Sequence, residues 1–515
     1  MTPPLYQPSD NVDAVIVGSG AGGAPLAARL AQAGLSVVVL EAGDRFLPDE
    51  HVADEVAADL YWLEERLSGG ADPTAFGANN SGMGVGGSTL HWGAFCPRPD
   101  ARDLSLRTMM GVGDDWPIAF DELIAYVEQV ERFIGVSGPA HYPWDAARRY
   151  PLPPVSRNAP ADAMARGCAA LGLTATDAPA ALVSRDWQQP HWGQRQACVN
   201  CGTCHQGCRN AAKTSMDTTW LPLAIAHGAE VRDRSRVIDI ERDRAGRVDG
   251  VVYRRDGQDV RQRCGALFLC AGGVETPRLL LNLDLANSSG QVGRHFMAHV
   301  ATQVWGRFNA DMRMNRGYPS SLISEDMMRP ADAGCAGGYL IQSLGVLPVT
   351  LATNLTRGAG LWGERLVGMI DDYHRLAGIG INGECLPDER NRLTLSDEID
   401  AFGLRKARID FSYGENERAV DAHARRTLTA IWEAAGARDI LALDRSAHTI
   451  GTCRMGRDGD HAVVDADGRS FDVPNLYICD NSIFPSALAA NPALTIMALS
   501  LRCAAQFLNS RTRGE

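Results

Sequence analysis

Ala197–Cys208 reads ACVNCGTCHQGC, which sets Cys198, Cys201, Cys204 and Cys208 in a C-x2-C-x2-C-x3-C run. Bacterial ferredoxins hold iron–sulfur clusters with thiolates at this spacing, and there the run is followed by proline. Here Arg209 follows, and the chain has no second run. A cluster would therefore need Cys208 to join the other three around one group of three or four irons. Zinc favours two separated C-x2-C knuckles. Disulfides across three or four residues need a suitably bent loop. Three readings stay open: an iron–sulfur cluster, bare or oxidised thiols, or zinc.

A second group begins near the N-terminus. Asp13–Val17 reads DAVIV, followed by GSGAGG, APLAARLAQAG and SVVVLEAG. This order predicts strand, glycine turn, helix, strand, with Gly18, Gly20 and Gly23 as G-x-G-x-x-G. The first glycine permits the tight turn, and the second lets backbone approach a pyrophosphate. The third lets the helix pack close to the sheet. The helix N-terminus offers positive potential to phosphate. Glu41 ends the second strand, where a carboxylate can accept from ribose hydroxyls, and Ala42 follows it. With no similar unit later, the pattern suits FAD held by distant segments. Candidate segments are GGSTLHWG with Gly87 and Ser88, ALFLCAGG with Ala271, and NLYICD with Asp480. A strand-end acid such as Asp480 suits a ribityl or ribose hydroxyl, or simply caps the helix that follows.

The rest of the chain must position these groups. It has 515 residues, so more than one domain is expected. Lys+Arg 50 against Asp+Glu 62 leaves −12. Without a basic tract, neither nucleic acid nor an anionic membrane is an expected partner. MTPPLYQPSDNVD lacks the marks of a signal peptide, and no run is long and apolar enough to insert into a membrane. A cytoplasmic, reducing compartment is expected, with export beside a signal-bearing partner as the alternative. ALAANPALTIMALSL predicts a buried helix, and AFDELIAYVEQVERFIG a helix covering one face of something larger. EVRDRSRVIDIERD and GRVDGVVYRRDG predict strands with a hairpin turn.

Taken in order, GSGAGG with Glu41, GGSTLHWG, CAGGVETPRLLL, GRHFMAH, HTIGTCRMG and NLYICDNSIFPSALAANPALTIMAL resemble the glucose–methanol–choline (GMC) oxidoreductases, from about Asp13 to Arg502. The resemblance implies an α/β chain, α+β overall. It would comprise a Rossmann-like FAD domain of discontinuous segments and a substrate domain with an antiparallel sheet. It implies oxidation of a C–OH group of a sugar, glycoside or polyol, with electrons going to an acceptor other than NAD. His448 matches the family's catalytic base. Asn491 matches the second member of the pair, which orients the hydroxyl. His91, beside Trp92, stands where some members attach FAD covalently. Val237 matches the adenine-side strand, and Pro492 lies against the flavin. His299 belongs to the scaffold on this reading, and His295 has no role.

ACVNCGTCHQGCRNAAKTS and NRLTLSDEIDAFGLRKARIDFSY resemble the gluconate and sugar dehydrogenase large subunits. That branch implies the cluster reading, a small subunit and a cytochrome acceptor. An oxidase of the same fold, making hydrogen peroxide without a cluster, is the alternative. The expected organisation is FAD domain at 1–97, 213–299 and 448–515, a cap region with the cysteines at 98–212, and a substrate domain at 300–447. His191, Trp192, Tyr373, His374, Asn382 and Glu384 are further candidates for the channel or for substrate contacts.

Overall fold

The computed structural model describes residues 5–57, 66–73 and 81–513. Its first sheet is built around Asn11–Val17, a strand buried along most of its length. Val37–Leu40 and Gln258–Leu269 flank it in parallel, and Ala229–Arg232 extends the sheet beyond Val37–Leu40. Gln258–Leu269 changes partners along its length. Its first half pairs antiparallel with Val248–Arg255, and its last residues pair in parallel with Leu476–Ile478. The predicted hairpin turn falls at Asp256–Gly257, both with positive φ, as a two-residue hairpin loop requires. Segments as far apart in sequence as Val17 and Leu476 thus converge in one sheet, where the strand ends at Val17, Leu40, Leu269 and Ile478 face the same side.

The helix Gly23–Gln32 packs on this sheet with eight buried residues. The predicted C-terminal helix is Ala493–Arg513, buried along its first half. The helix Phe120–Ile134 buries Leu123, Val127, Val130 and Ile134, the three- and four-residue spacing of a single apolar stripe. Gly23 sets how closely its helix approaches the sheet. A Cβ there would lie 1.9 Å from the Gly18 carbonyl oxygen. Gly23→Ala is expected to destabilise the protein by about 1–3 kcal/mol, the usual cost of overpacking, seen as a lower melting temperature of the apo-protein.

The second sheet is antiparallel and eight-stranded, with Gln303–Arg307, Leu376–Gly383 and Tyr339–Leu344 at its centre. Strand alternation divides its two faces. Val304, Ile341, Ala377, Ile379 and Ile381 pack against the helices Ala159–Ala170 and Glu415–Ala434. Gln303, Gln342, Leu344, Gly380 and Asn382 point the other way, into the cavity between the sheets. Met297–Val300 pairs with Ser446–Ile450, and this pair joins the second sheet through Val300. A smaller sheet of Arg392–Ile399, Arg405–Asp410 and Arg66–Gly69 is clamped to the helix Gly272–Asn282 by Arg278. Its guanidinium bonds Asp400 at 2.6 Å and Glu275 at 2.9 Å.

Candidate active site and cofactor cradle

One large cavity runs from the first glycine turn to the second sheet. Gly18, Gly20, Glu41 and Ala42 line it, with Gly87, Ser88, His91 and Trp92 across from them. Val237, Ala271, Asp480 and Pro492 complete the predicted set at its wall. Gly23 stands behind the turn, in the packing role its spacing suggests.

The cradle is made of bare backbone. Gly18 holds φ +100°, and a Cβ on it would meet the Cys270 oxygen at 2.4 Å. Gly87 faces Gly20 so closely that its Cβ would lie 2.8 Å from the Gly20 Cα. Glu41 is buried, and its carboxylate accepts from the Ser19 hydroxyl at 2.7 Å and the Gly43 N–H at 3.0 Å. The Ser19 N–H also donates to that first oxygen at 3.1 Å, so the oxygen facing Gly43 is the one that keeps a lone pair for a ribose hydroxyl. Asp480 accepts from Thr276 at 2.6 Å, Gly272 N–H at 2.8 Å and Ser482 N–H at 2.8 Å. It therefore caps a helical turn and lines the cavity at once. Bare glycine backbone, a helix N-terminus and a ribose-facing acid fit a dinucleotide such as FAD.

His448 and Asn491 line the same cavity, 3.4 Å apart from Nε2 to Nδ2. His448 sits at φ +64° in the strand Ser446–Ile450, a left-handed conformation costing about 1–2 kcal/mol for a residue with a Cβ. Two residues assigned elsewhere by the sequence reading complete the pair. His299 Nδ1 lies 2.8 Å from His448 Nδ1, and its Nε2 lies 3.1 Å from the Ala487 oxygen and 2.9 Å from the Leu488 oxygen. Carbonyls only accept, so His299 Nε2 carries the proton. In a neutral ring its Nδ1 is then bare. His448 Nδ1–H must donate to it, which leaves His448 Nε2 unprotonated at the cavity, its lone pair shared with the Asn491 amide N–H. Burial holds His299 down to about 4. Burial, then the neighbouring His299 and Arg445, hold His448 well below an ordinary histidine. Both rings are neutral at pH 7. Asn382 Nδ2 donates to Asn491 Oδ1 at 2.9 Å, which turns the Asn491 amide N–H toward His448.

The remaining candidates separate. Tyr373 packs outside the cavity with its hydroxyl on the Val346 oxygen, and His374 lies near Asp311 at the surface. Glu384 is buried but does not line the cavity. His191 and Trp192 do not line it either, whereas His205 does, with its Nδ1 3.0 Å from the His91 oxygen. His295 bonds Gln291 at 3.1 Å.

The four cysteines line one small cavity of about 10 Å³ together with Tyr318. That is the room of a single water. Among the described residues, no three His, Cys, Asp or Glu side chains gather as a metal site. The thiols turn instead to side chains two residues on: Cys201 to Thr203 at 3.2 Å, and Cys208 to Asn210 at 3.1 Å. Left-handed turns at Asn200, Gly202 and Gly207 produce this local pairing. As placed, the residues do not fit an iron–sulfur cluster, despite their spacing. The loop is nevertheless fastened to the cavity wall. Buried Lys213 donates to the oxygens of Cys204 at 2.7 Å, Leu90 at 2.8 Å and Trp92 at 3.2 Å.

Family models for the N- and C-terminal parts of GMC oxidoreductases match residues 15–301 and 387–500. The chain belongs to the GMC oxidoreductase family. This GMC protein is an FAD-dependent oxidoreductase acting on CH–OH groups. It is 30% identical to the 2-methyl-1,2-propanediol dehydrogenase of Mycolicibacterium austroafricanum, across 96% of this chain and 94% of that one. It is 29% identical to the fructose dehydrogenase large subunit of Gluconobacter japonicus, across 98% and 99%. The fold matches a pyridoxine 4-oxidase from Mesorbium loti with a TM-score of 0.68 at 20% identity, covering 97% of this chain and 99% of that one. No helix among the described residues is long and apolar enough to cross a membrane.

Proposed function

We propose that this GMC enzyme oxidises a C–OH group of an alcohol or sugar, with His448 as the base. Bound FAD supplies the hydride acceptor. Gly18, Gly20, Glu41 and Asp480 hold the cofactor, and Gly87, Ser88, His91, Trp92 and Pro492 wall its cavity. The substrate hydroxyl donates to His448 Nε2 and accepts from the Asn491 amide. His448 takes the hydroxyl proton at Nε2 as the C–H hydride leaves. The carbonyl product then lacks the donor that held the alcohol. The contact between His299 and His448 supports this reading most, because it leaves the bare nitrogen on the cavity side.

Asn491 has no proton-accepting nitrogen, so it orients and does not take the proton. Asn491→Ala is expected to slow anaerobic flavin reduction by about tenfold, well short of the loss from removing a general base. Stopped-flow absorbance compares it with His448→Ala. If Asn491→Ala is the slower of the two, the roles are reversed.

The reading takes a dehydrogenase that passes its electrons to an acceptor other than NAD, in line with the two dehydrogenases among the relatives. It omits the iron–sulfur relay, because the thiol cavity has room for one water. The large-subunit relative is the ground for proposing a partner subunit and a cytochrome acceptor. Turnover in air tests the acceptor: little oxygen uptake is expected, and stoichiometric peroxide would make the enzyme an oxidase.

A further inference from the structure

The central strands of the second sheet set one further group of side chains against the cavity. Gly380 pairs with Gln303 on one neighbouring strand and with Gln342 on the other, so the three stand in one row. All three line the cavity. Neighbouring strands lie about 4.8 Å apart, which puts the two glutamine Cα atoms about 10 Å from each other with a glycine between them. The floor between the amides is low and apolar. Gly380 has no side chain, and a methyl of Leu344 leans over it, 2.8 Å from where a Cβ would stand.

The two amides are presented differently. Trp305 Nε1–H donates to Gln303 Oε1 at 3.3 Å. An indole nitrogen only donates, so this contact fixes the amide oxygen and leaves the Gln303 NH2 group for the cavity. The Gln342 side chain makes no hydrogen bond to any described residue, which leaves both its oxygen and its NH2 group for a ligand.

The row also stands at a set distance from the reacting group. Asn382 lies two residues along the same strand, on the same face, and its amide holds Asn491. Two residues are about 7 Å of strand. Sideways from Asn382 the wall is closed, because its partner Leu340 is buried with Ala489 and Ala490 and does not line the cavity. A molecule whose hydroxyl meets His448 and Asn491 therefore extends toward Gly380, and lays groups several carbons away over the glutamine row.

We infer that Gln303 and Gln342 are specificity-determining residues, which hold a second hydroxyl of the substrate across Gly380 while His448 takes the proton from the first. The Gln303 NH2 group donates to the second hydroxyl oxygen, and that hydroxyl donates to Gln342 Oε1. The C–H surface of the molecule lies on Gly380 and Leu344. This rests on the function proposed above, and it places the two hydroxyls well apart along the substrate skeleton. A site built to hydrogen-bond a hydroxyl discriminates against an analogue that lacks it, because the amides are then left unpaired.

Three alcohols of equal chain length isolate the contact: 1,6-hexanediol, 1,2-hexanediol and 1-hexanol. Binding is read on the FAD-loaded His448→Ala protein, where reduction is slow, by titration against the flavin absorbance. 1,6-Hexanediol is expected to bind at least about tenfold more tightly than either of the other two, the scale of one or two hydrogen bonds. Adding Gln342→Leu or Gln303→Leu should abolish that preference. Adding Gln342→Glu, which keeps an acceptor oxygen, should retain part of it. No saturable change with 1,6-hexanediol, or the same preference in the leucine variants, overturns the inference.

Turnover is read with His448 intact, by anaerobic flavin reduction. The ratio of kcat/KM for 1,6-hexanediol to that for 1-hexanol should fall at least about tenfold in Gln342→Leu. The loss should appear in KM more than in kcat, because the contact is made equally before and during the reaction. Equal slowing of all three alcohols would make the glutamines cofactor contacts and overturn the inference. Glutamine-dependent binding of 1,6-hexanediol without reduction by any of the three would leave the second-hydroxyl site standing and sink the proposed function instead.

Discussion

His448→Ala is expected to retain FAD and to slow flavin reduction by substrate by about 10²- to 10⁴-fold, the range for a lost general base. Cofactor retention follows from geometry, since the cradle is glycine backbone with Glu41 and Asp480, and none of it hangs on the His448 ring. The rate loss follows from position. His448 Nε2 is the bare nitrogen on the cavity side, and its neighbour Asn491 has only an amide to offer. The wild-type pH profile carries the same signature. A base whose folded pKa is held well below 6.5 stays unprotonated as the solution is acidified. The acid limb of kcat/KM is therefore expected well below pH 6.5, and a limb at or above 6.5 would mean that another group takes the proton.

The second large effect is expected at His299, which touches the base and not the substrate. His299→Leu removes the acceptor for His448 Nδ1–H, so the proton is free to occupy Nε2 and block it. In a serine protease, a change that leaves the catalytic histidine in the wrong tautomer lowers kcat by about 10⁴. Here a neutral partner is lost, and about 10²-fold slowing is the expected scale. His299→Asn restores an acceptor oxygen and should recover part of the rate. A purely structural role would lower stability without this rescue.

The sequence disclosed what is contiguous and hid what is assembled. The glycine turn, Glu41 and the DG hairpin are local patterns with fixed backbone demands, and each lies where those demands put it. His299 is 149 residues from His448 and Asn382 is 109 from Asn491, so only the tertiary fold brings them together. Arg445, within LDRSAHT, reads as an ordinary charged loop until its direction into the cavity is known. The cysteine run failed in the opposite sense. Its spacing suggests converging ligands, but spacing does not fix the left-handed turns at Asn200, Gly202 and Gly207 that send the thiols to local partners.

The central claim is that His448 removes the hydroxyl proton. The most direct test is anaerobic stopped-flow reduction of the His448→Ala enzyme across pH 6 to 9, beside wild type. The account predicts a wild-type rate that is flat over the upper part of this range. It predicts a variant rate that is far slower and climbs about tenfold per pH unit, as hydroxide replaces the lost base. A variant that matches wild type within a few-fold, with the same pH dependence, would contradict it.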